Sequence, residues 1–491
     1  MSDEKLEERV RSAIVVTERD SILLEPVYPP NHTLGSKSYF GGRPRLPADI
    51  LWPVSEIIVD HERRKQANGE WRLEPVTRAV ASTFIAQIDL SELPESISTS
   101  LPRSGTLYFF IDTATEDLIF DSVPGTGGRV VYWPGDSATV AERPEPDDLA
   151  PCFGKEWTFA FRWLAPIQSE ARQPPRSFPK WGVCSRVVKT LDITLPFERI
   201  LRGGGSDESS EQKAEREQHN QRVNILSKCY GELLQARRKL VLEQLPRGPN
   251  RNYFVHREGG LRVWRGGEGY PYAWIDIEVF CGTYLADLND KLRRRPAGQR
   301  SELISSREED EFSRIAAEAR DWVERGTEVG RFTAVDDATR QEFGQWYDQI
   351  IARSSDSTSD PRHWTTLQGC IAEAYRIGPR LCLAHSPEAA SLVPDAWCEH
   401  QRWQWAIRYK RYEGSNYELD DRFVQHQLLG PRDHEISATQ QSRRTVPLMS
   451  LDSQDGLFWK WGDVGSIEFR IPETDLAGMD FSKCYVVLRS G

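Results

Sequence analysis

The chain has 491 residues, 38% hydrophobic and 28% charged, with 16 Trp and 19 Phe. That length predicts two or three lobes, and the aromatic content excludes a disordered chain. The formal net charge of -11 argues against nucleic acid and anionic membranes as partners, because an acidic chain repels both.

Short basic runs exist at Arg237-Arg238-Lys239 and Arg293-Arg294-Arg295, but acidic residues surround each, and they read as solvated faces. No apolar stretch approaches the roughly 20 residues of a membrane span, and residues 1–20 carry no signal-peptide run. Eight cysteines with no C-x-x-C spacing read as reduced thiols in a cytoplasmic protein.

In chain order, Leu6, Val10, Ala13, Ile14 and Thr17 predict a helix over residues 5–19. From Ile22 to about Phe161 the texture is antiparallel β. Apolar runs at 83–90, 105–112, 117–121 and 129–134 are broken by Pro and Gly, and 123–128 reads as a hairpin connection. The Gly-, Ser- and Glu-rich stretch 202–222 reads as a linker or mobile loop. Its three glycines lack the frame of a phosphate loop.

From 223 to 412 the pattern turns helical. Val223, Leu226, Tyr230, Leu233 and Leu234 share a stripe. Ser306 to Glu309 fits a capping box, and Asp336 or Asp337 can cap the next helix. Trp364 to Ile377 predicts a helix closed by Gly378-Pro379. A further helix is expected over 396–412, where Trp405, Tyr409 and Tyr412 form an aromatic stripe that reads as core rather than as a stacking platform. After Arg444 strands return, at 445–451, 456–461, 465–471 and 483–488.

There is an internal echo. Gly105-Thr106-Leu107-Tyr108-Phe109-Phe110-Ile111 matches Gly465-Ser466-Ile467-Glu468-Phe469-Arg470-Ile471 in pattern. Each comes after an apolar run that ends in Asp, first at Asp89 and then at Asp452. Two β halves packed together would produce such an echo.

Five motifs carry a family likeness. Ser36-Lys37-Ser38-Tyr39-Phe40-Gly41-Gly42-Arg43-Pro44-Arg45-Leu46-Pro47, with Trp52-Pro53, opens the set. Phe84 to Leu90 and Leu101 to Leu107 are next in order. His426-Gln427-Leu428-Leu429-Gly430 comes after them, and Phe458-Trp459-Lys460-Trp461-Gly462-Asp463 with Ile467 to Pro472 closes the set. In this order they resemble the YwqG-like family. The resemblance implies a bacterial, soluble, β-rich protein with no established activity. Some members stand near toxin genes, which implies an interaction or immunity role. It supplies no catalytic residues.

Four groups of residues could carry chemistry. Cys370, Cys382, His385, Cys398 and His400 combine thiols and imidazoles as tetrahedral zinc requires, but the second spacing is tight and no C-x-x-C anchors the site, so they read as buried free thiols with incidental histidines rather than as a metal site. Asp452, Asp455 and Asp463, with Glu468 and His426, could act as acid and base or hold a hard cation. Asp and Gly at strand ends are ordinary turn formers, and the favoured reading is structural, with His426 a hydrogen-bonded structural residue. Ser36, Gly41, Gly42 and Arg43 could cradle an anion, or the glycines could simply form a turn before Pro44. Trp461 is a fourth, binding candidate.

The expectation is an α+β protein. A β-rich, roll-like core is built from residues 1–201 and 413–491. A linker at 202–222 and a helical insertion at 223–412 lie between. The function expected is non-enzymatic binding of a protein partner, without a cofactor, in the cytoplasm. The alternative is a hydrolase or metal-assisted enzyme using the C-terminal carboxylates.

Overall fold

The computed structural model of the chain describes residues 3–27, 29–30, 35–65, 71–97, 100–112, 127–150, 163–167, 175–196, 210–244, 269–293, 306–357, 361–398, 426–431, 433–436, 445–454, 457–459, 461 and 465–489. Helix α1 (Asp3–Ser12) leads into strand β1 (Val15–Pro26). The helix expected over 5–19 therefore stops at Ser12. The β-branched run Val15-Val16-Thr17 disfavours helix and pairs along a partner strand instead.

The remaining strands are β2 (Tyr39–Phe40), β3 (Val54–Lys65), β4 (Trp71–Ala81), β5 (Thr83–Asp89), β6 (Thr106–Ile111), β7 (Gly128–Trp133) and β8 (Trp181–Pro196) from the first part of the chain. The last part supplies β9 (Gln427–Leu428), β10 (Asp433–Ile436), β11 (Thr445–Asp452), β12 (Ser466–Pro472) and β13 (Tyr485–Arg489). One eleven-stranded sheet runs β13-β12-β11-β9-β1-β8-β2-β5-β6-β7, with β10 alongside β8, and β3-β4 form a separate ribbon. The sheet is nearly closed. Phe109 of β6 meets Phe469 of β12 edge-on, ring centroids 5.1 Å apart. Gly128 of β7 lies so close to β13 that a Cβ there would be 2.6 Å from Val486 Cγ2. A β-rich body from both chain ends is thus what the chain builds.

The echo read from the sequence is a repeat in space. β5-β6-β7 and β11-β12-β13 are two meanders with β6 and β12 at their centres. Asp89 pairs with Thr106 as Asp452 pairs with Ser466, and the register then shifts at Ile85 in one half and at Leu448 in the other. Tyr39 and Phe40 sit opposite Gln87 and Ala86 as Gln427 and Leu428 sit opposite Ser450 and Met449. The short strands then pair with β8 through Trp181 and Gly182, and with β1 through Ile22 and Leu23. These matches relate the halves by a two-fold axis that passes near the β1–β8 pair Glu25–Cys184. One half is β2 and β5 to β8. The other is β9 and β11 to β13, completed by β1 from the start of the chain.

The helices are α2 (Ser210–Glu243), α3 (Trp274–Arg293), α4 (Ser306–Val329), α5 (Asp337–Ser357), α6 (Pro361–His385), α7 (Pro387–Ala390) and α8 (Glu473–Ala477). The stretch expected as a linker is helical from Ser210 onward. Asp336 caps α5 as expected, accepting the Thr339 N–H at 2.7 Å. Helix α6 does not end at Gly378-Pro379 but runs through it to His385. The reason lies in α3, whose residues 274–281 are all buried. A Cβ at Gly378 would lie 2.0 Å from Asp276 Oδ1, so this glycine lets the two helices close on each other. That tertiary contact outweighs the break proline imposes. Of the helix expected over 396–412, the structure describes only residues up to Cys398. Trp397 is core, its indole N–H donated to Tyr375 O at 3.1 Å.

Asp276 itself is buried. Its Oδ2 accepts the N–H groups of Tyr272 at 2.7 Å and Ala273 at 3.1 Å. Its Oδ1 has no hydrogen-bond partner among the described residues. Burial pushes the carboxyl up to about 7, against the lowering effect of the two N–H groups. The native state therefore holds a proton that the unfolded chain has already released. This contribution is full below about pH 4 and is lost as pH rises through 7. Wild type should lose on the order of 4 kcal/mol more than Asp276→Asn across that window, read by urea unfolding at a series of pH values.

Gly41 has a φ of +60°, and a Cβ there would lie 2.2 Å from Pro179 O. Gly41→Ala should cost about 3 kcal/mol or more. Gly344, inside α5, has no atom within 4 Å of an added Cβ, so Gly344→Ala should gain about 0.5–1 kcal/mol. Denaturant midpoints of the two variants check both signs.

Candidate functional site

The opening motif builds the seam between β8 and β5. Gly41 donates its N–H to Ile85 O and Gly42 to Phe178 O, both at 2.7 Å. These bonds use the donors that an anion cradle would need, and they make the pair a turn that lets β2 end against β5. Arg43 faces outward and pairs with Glu145 at 2.7 Å. Beneath it Tyr39 Oη donates to Arg43 O at 2.7 Å, and Gln87 Oε1 accepts the Arg45 N–H at 3.0 Å. Gln87 Nε2 donates to Lys37 O at 2.8 Å. Burial pushes the Tyr39 phenol well above its ordinary range, which keeps it a neutral donor.

The second seam mirrors the first. Leu429 has a φ of +53°, the conformation Gly41 holds in the other half. Its N–H is donated to Leu448 O at 2.8 Å, the counterpart of the Gly41–Ile85 bond. Arg19 tightens this seam by donating to Leu429 O at 2.9 Å and to Asp192 Oδ1 at 2.7 Å. Ser21 donates to Gln427 Oε1 at 3.1 Å.

The residue before each short strand caps the Asp that ends the neighbouring strand. The Asp89 N–H is donated to Ser38 Oγ at 3.0 Å, and the Asp452 N–H to His426 Nδ1 at 3.3 Å. An accepting Nδ1 places the proton on Nε2, which donates to Gln454 Oε1 at 2.5 Å. His426 is therefore a neutral, buried imidazole with both nitrogens engaged. Asp89 is committed as well, accepting the Ser91 N–H at 2.9 Å.

Beyond the Asp the halves diverge. After Asp89 the chain continues as a short turn at Leu90–Glu92, and Leu90, Leu93, Ile97 and Leu101 pack into the core. After Asp452 the chain turns inward. Gln454 N donates to Trp459 O at 2.8 Å, and Trp459 N returns a bond to Gln454 O at 3.0 Å. Trp461 N donates to Ser453 Oγ at 2.8 Å. Of the expected strand 456–461, the described residues 457–459 and 461 form no strand and fold back on Gln454, held among the described residues by the single bridge Gln454–Trp459. Phe458 takes a φ of +58° while buried, which is strained for an aromatic residue.

This loop delivers two indoles to the first seam. Trp459 lies 5.0 Å from Phe40 and 5.4 Å from His426 between ring centroids. Trp461 lies 5.6 Å from Trp459 and 6.3 Å from Phe178. Phe40, Phe178, His426, Trp459 and Trp461 form one buried aromatic cluster where three of the sequence motifs meet. The Trp459 Nε1–H is buried and has no hydrogen-bond partner among the described residues. Phe178 and Gln454 were not singled out from the sequence; only the folded chain brings Phe178 here.

The other candidates fall as follows. Asp452 lies beside His426, while Asp455 and Asp463 lie outside the described residues. Glu468 pairs with Arg470 at 2.8 Å. Of the zinc candidates, Cys370, Cys382 and Cys398 are buried free thiols and His400 lies outside the described residues. His385 stacks on Phe332 at 3.7 Å between centroids. Cys370 donates to Asp287 at 3.7 Å. Burial pushes Cys382 well up and Cys398 to about 11, so both are thiols at neutral pH. Among the described residues no three His, Cys, Asp or Glu side chains are placed to hold a metal ion. No described helix is long and apolar enough to cross a membrane.

A family model for a domain of unknown function, DUF1963, matches residues 38–247 and 326–489, well over half of the chain. The YwqG-like motifs of both chain ends fall inside these stretches from Ser38 onward. The unmatched segment 248–325 is narrower than the expected insertion; it holds α3 and most of α4. No curated protein matches the chain.

Because the Trp459 donor is unpartnered, Trp459→Phe should keep the ring packing and leave stability within about 1 kcal/mol of wild type or above it. Trp459→Ala should lose about 3–5 kcal/mol by opening the cluster. Thermal unfolding of the two variants separates ring packing from the indole N–H.

Proposed function

This chain belongs to the DUF1963 family, and we propose that it is a non-enzymatic binding protein that recognises a protein partner. The state of His426 supports this reading most directly. It is the motif residue best suited to general-base chemistry, yet it caps Asp452 and holds Gln454 from inside the core. The counterpart position uses Ser38 for the same cap, so the family motifs read as parts of the frame. Recognition then falls to the surface that the frame carries. An immunity-like role, in which the chain sequesters a partner protein, is the narrower form of this reading.

The alternative is an enzyme using Asp452, Asp455, Asp463 and His426, favoured by the contact between the Asp452 backbone and His426. The experiment retains partners from a host lysate on the immobilised chain, identifies them by mass spectrometry, and rebuilds the complex from purified components by calorimetry. One stoichiometric protein partner is expected, bound equally well by Asp452→Asn. An empty column, or a hydrolytic activity that Asp452→Asn abolishes in a folded protein, would defeat the proposal.

A further inference from the structure

Where α3 crosses α6, three features meet within one helical turn. The first is the buried carboxyl of Asp276. Its Oδ2 accepts the Tyr272 and Ala273 N–H groups. Its Oδ1 has no hydrogen-bond partner among the described residues and rests against Gly378 of α6, where there is no room for a Cβ. The second is a break inside α6. Pro379 has no N–H, so the carbonyl of Tyr375, four residues earlier, loses its helical donor. The third is the group that fills this carbonyl. Trp397, beyond α7, donates its Nε1–H to Tyr375 O at 3.1 Å. Its ring meets Tyr375 edge-on at 6.1 Å between centroids. Tyr375 meets Tyr270 at 5.2 Å, and Tyr270 meets Tyr272 at 5.3 Å. A chain of rings thus runs from Trp397 to the residue whose N–H holds Asp276.

A charge on Asp276 would stand alone at this contact. Among the described residues, neither Arg376 nor Arg380, on either side of Gly378, acts on the carboxyl, and no group of α4 does; the two N–H groups are all that lowers it. Arg376 pairs with Glu373 at 2.7 Å. On α3 itself Glu278 is taken by both arms of Arg331 at 2.8 Å. Tyr270 and Cys382 face Asp276, and burial pushes both well above their ordinary ranges, so both stay neutral. A carboxylate here would have lost its water without gaining a counter-charge.

We propose that this contact is a proton-operated joint: with a proton on Asp276 the two helices stay closed, and when that proton leaves to solvent α6 opens at Gly378-Pro379 and releases the chain from Leu381 to Cys398. Opening returns the carboxylate to water, and the missing bond at Pro379 makes this the turn at which α6 parts most readily. Release uncovers Leu383, Val393 and Trp397, all buried in the closed state. The closed carboxyl ionises at about 7, so the joint is poised at neutral pH. The inference is independent of the partner reading above.

Thiol labelling of the full chain from pH 6 to pH 8, mapped by peptide mass spectrometry, tests it. Cys382 and Cys398 are buried free thiols on the released segment, and Cys484 is a buried free thiol beside the sheet. Each rate is divided by that of Asp276→Asn at the same pH, which removes the thiol's own pH dependence and keeps an uncharged side chain at the contact. Because the carboxyl ionises near 4 when open and near 7 when closed, the open fraction should rise about tenfold from pH 6 to pH 8 and then level off. The ratios at Cys382 and Cys398 should follow that rise while the ratio at Cys484 stays flat. Equal rates in wild type and Asp276→Asn at every pH, or Cys484 rising in step with Cys382 as whole-chain unfolding requires, would overturn the proposal.

Discussion

The body of this protein depends on two strands of two residues each. Among the described strands, β2 and β9 are the only links between the long β1–β8 pair and the two meanders beside it. Each is too short to hold by its own ladder, and each is fixed the same way. The residue after it turns into left-handed backbone and donates its N–H to the carbonyl at which the neighbouring register shifts, Gly41 to Ile85 and Leu429 to Leu448. The shift supplies an unpaired carbonyl, and the left-handed turn supplies a donor to fill it. Without either half of that exchange the meander has no attachment. This explains why the family motifs gather at these seams: they encode the joints of the sheet.

The two joints are equivalent in bonding and unequal in chemistry. Glycine accepts left-handed backbone freely, whereas Leu429 does so at a cost. Arg19 offsets that cost by holding the Leu429 carbonyl, and its own charge is balanced by Asp192. The cap is a small hydroxyl at Ser38 and an imidazole at His426. The larger ring reaches Gln454 and so connects the second joint to the inward loop, and through Trp459 to Phe40 at the first joint. Asymmetry added to a symmetric frame is what locks its halves to each other. The completion of one half by β1 adds a second lock, since the first strand of the chain closes the unit that the last strands begin.

Much of this was legible in the sequence. The repeated Gly-x-hydrophobic pattern at 105–111 and 465–471, each preceded by an apolar run ending in Asp, marked the central strands of the meanders. Two-residue strands carry no periodicity, so β2 and β9 were visible only as motifs. The strand β1 was hidden by apolar spacing that also suits a helix. What decides it is the partner β8, which lies more than 150 residues away and which local propensity cannot see. The end expected at Gly378-Pro379 failed for the same kind of reason, because the close approach of Asp276 on α3 is a tertiary fact. At the site, the Trp pair was legible as a motif. Its direction was not, because an aromatic run between Gly residues reads as a strand until the Gln454–Trp459 bridge folds it inward.

The arrangement also bears on where function can reside. A buried histidine with both nitrogens engaged has little freedom to exchange protons with a substrate. Moving it would break a joint on which the sheet depends, so stability and chemistry would compete at the same atoms. A protein that keeps its most distinctive residues for holding its halves together leaves recognition to parts that can vary without loosening the frame. On the proposed binding reading those parts are the ribbon outside the main sheet and the outer face of α4, because α3 of the segment that the family model leaves unmatched is itself core. Both stand on a body whose joints are already satisfied, so changes in their exposed charge leave those joints intact.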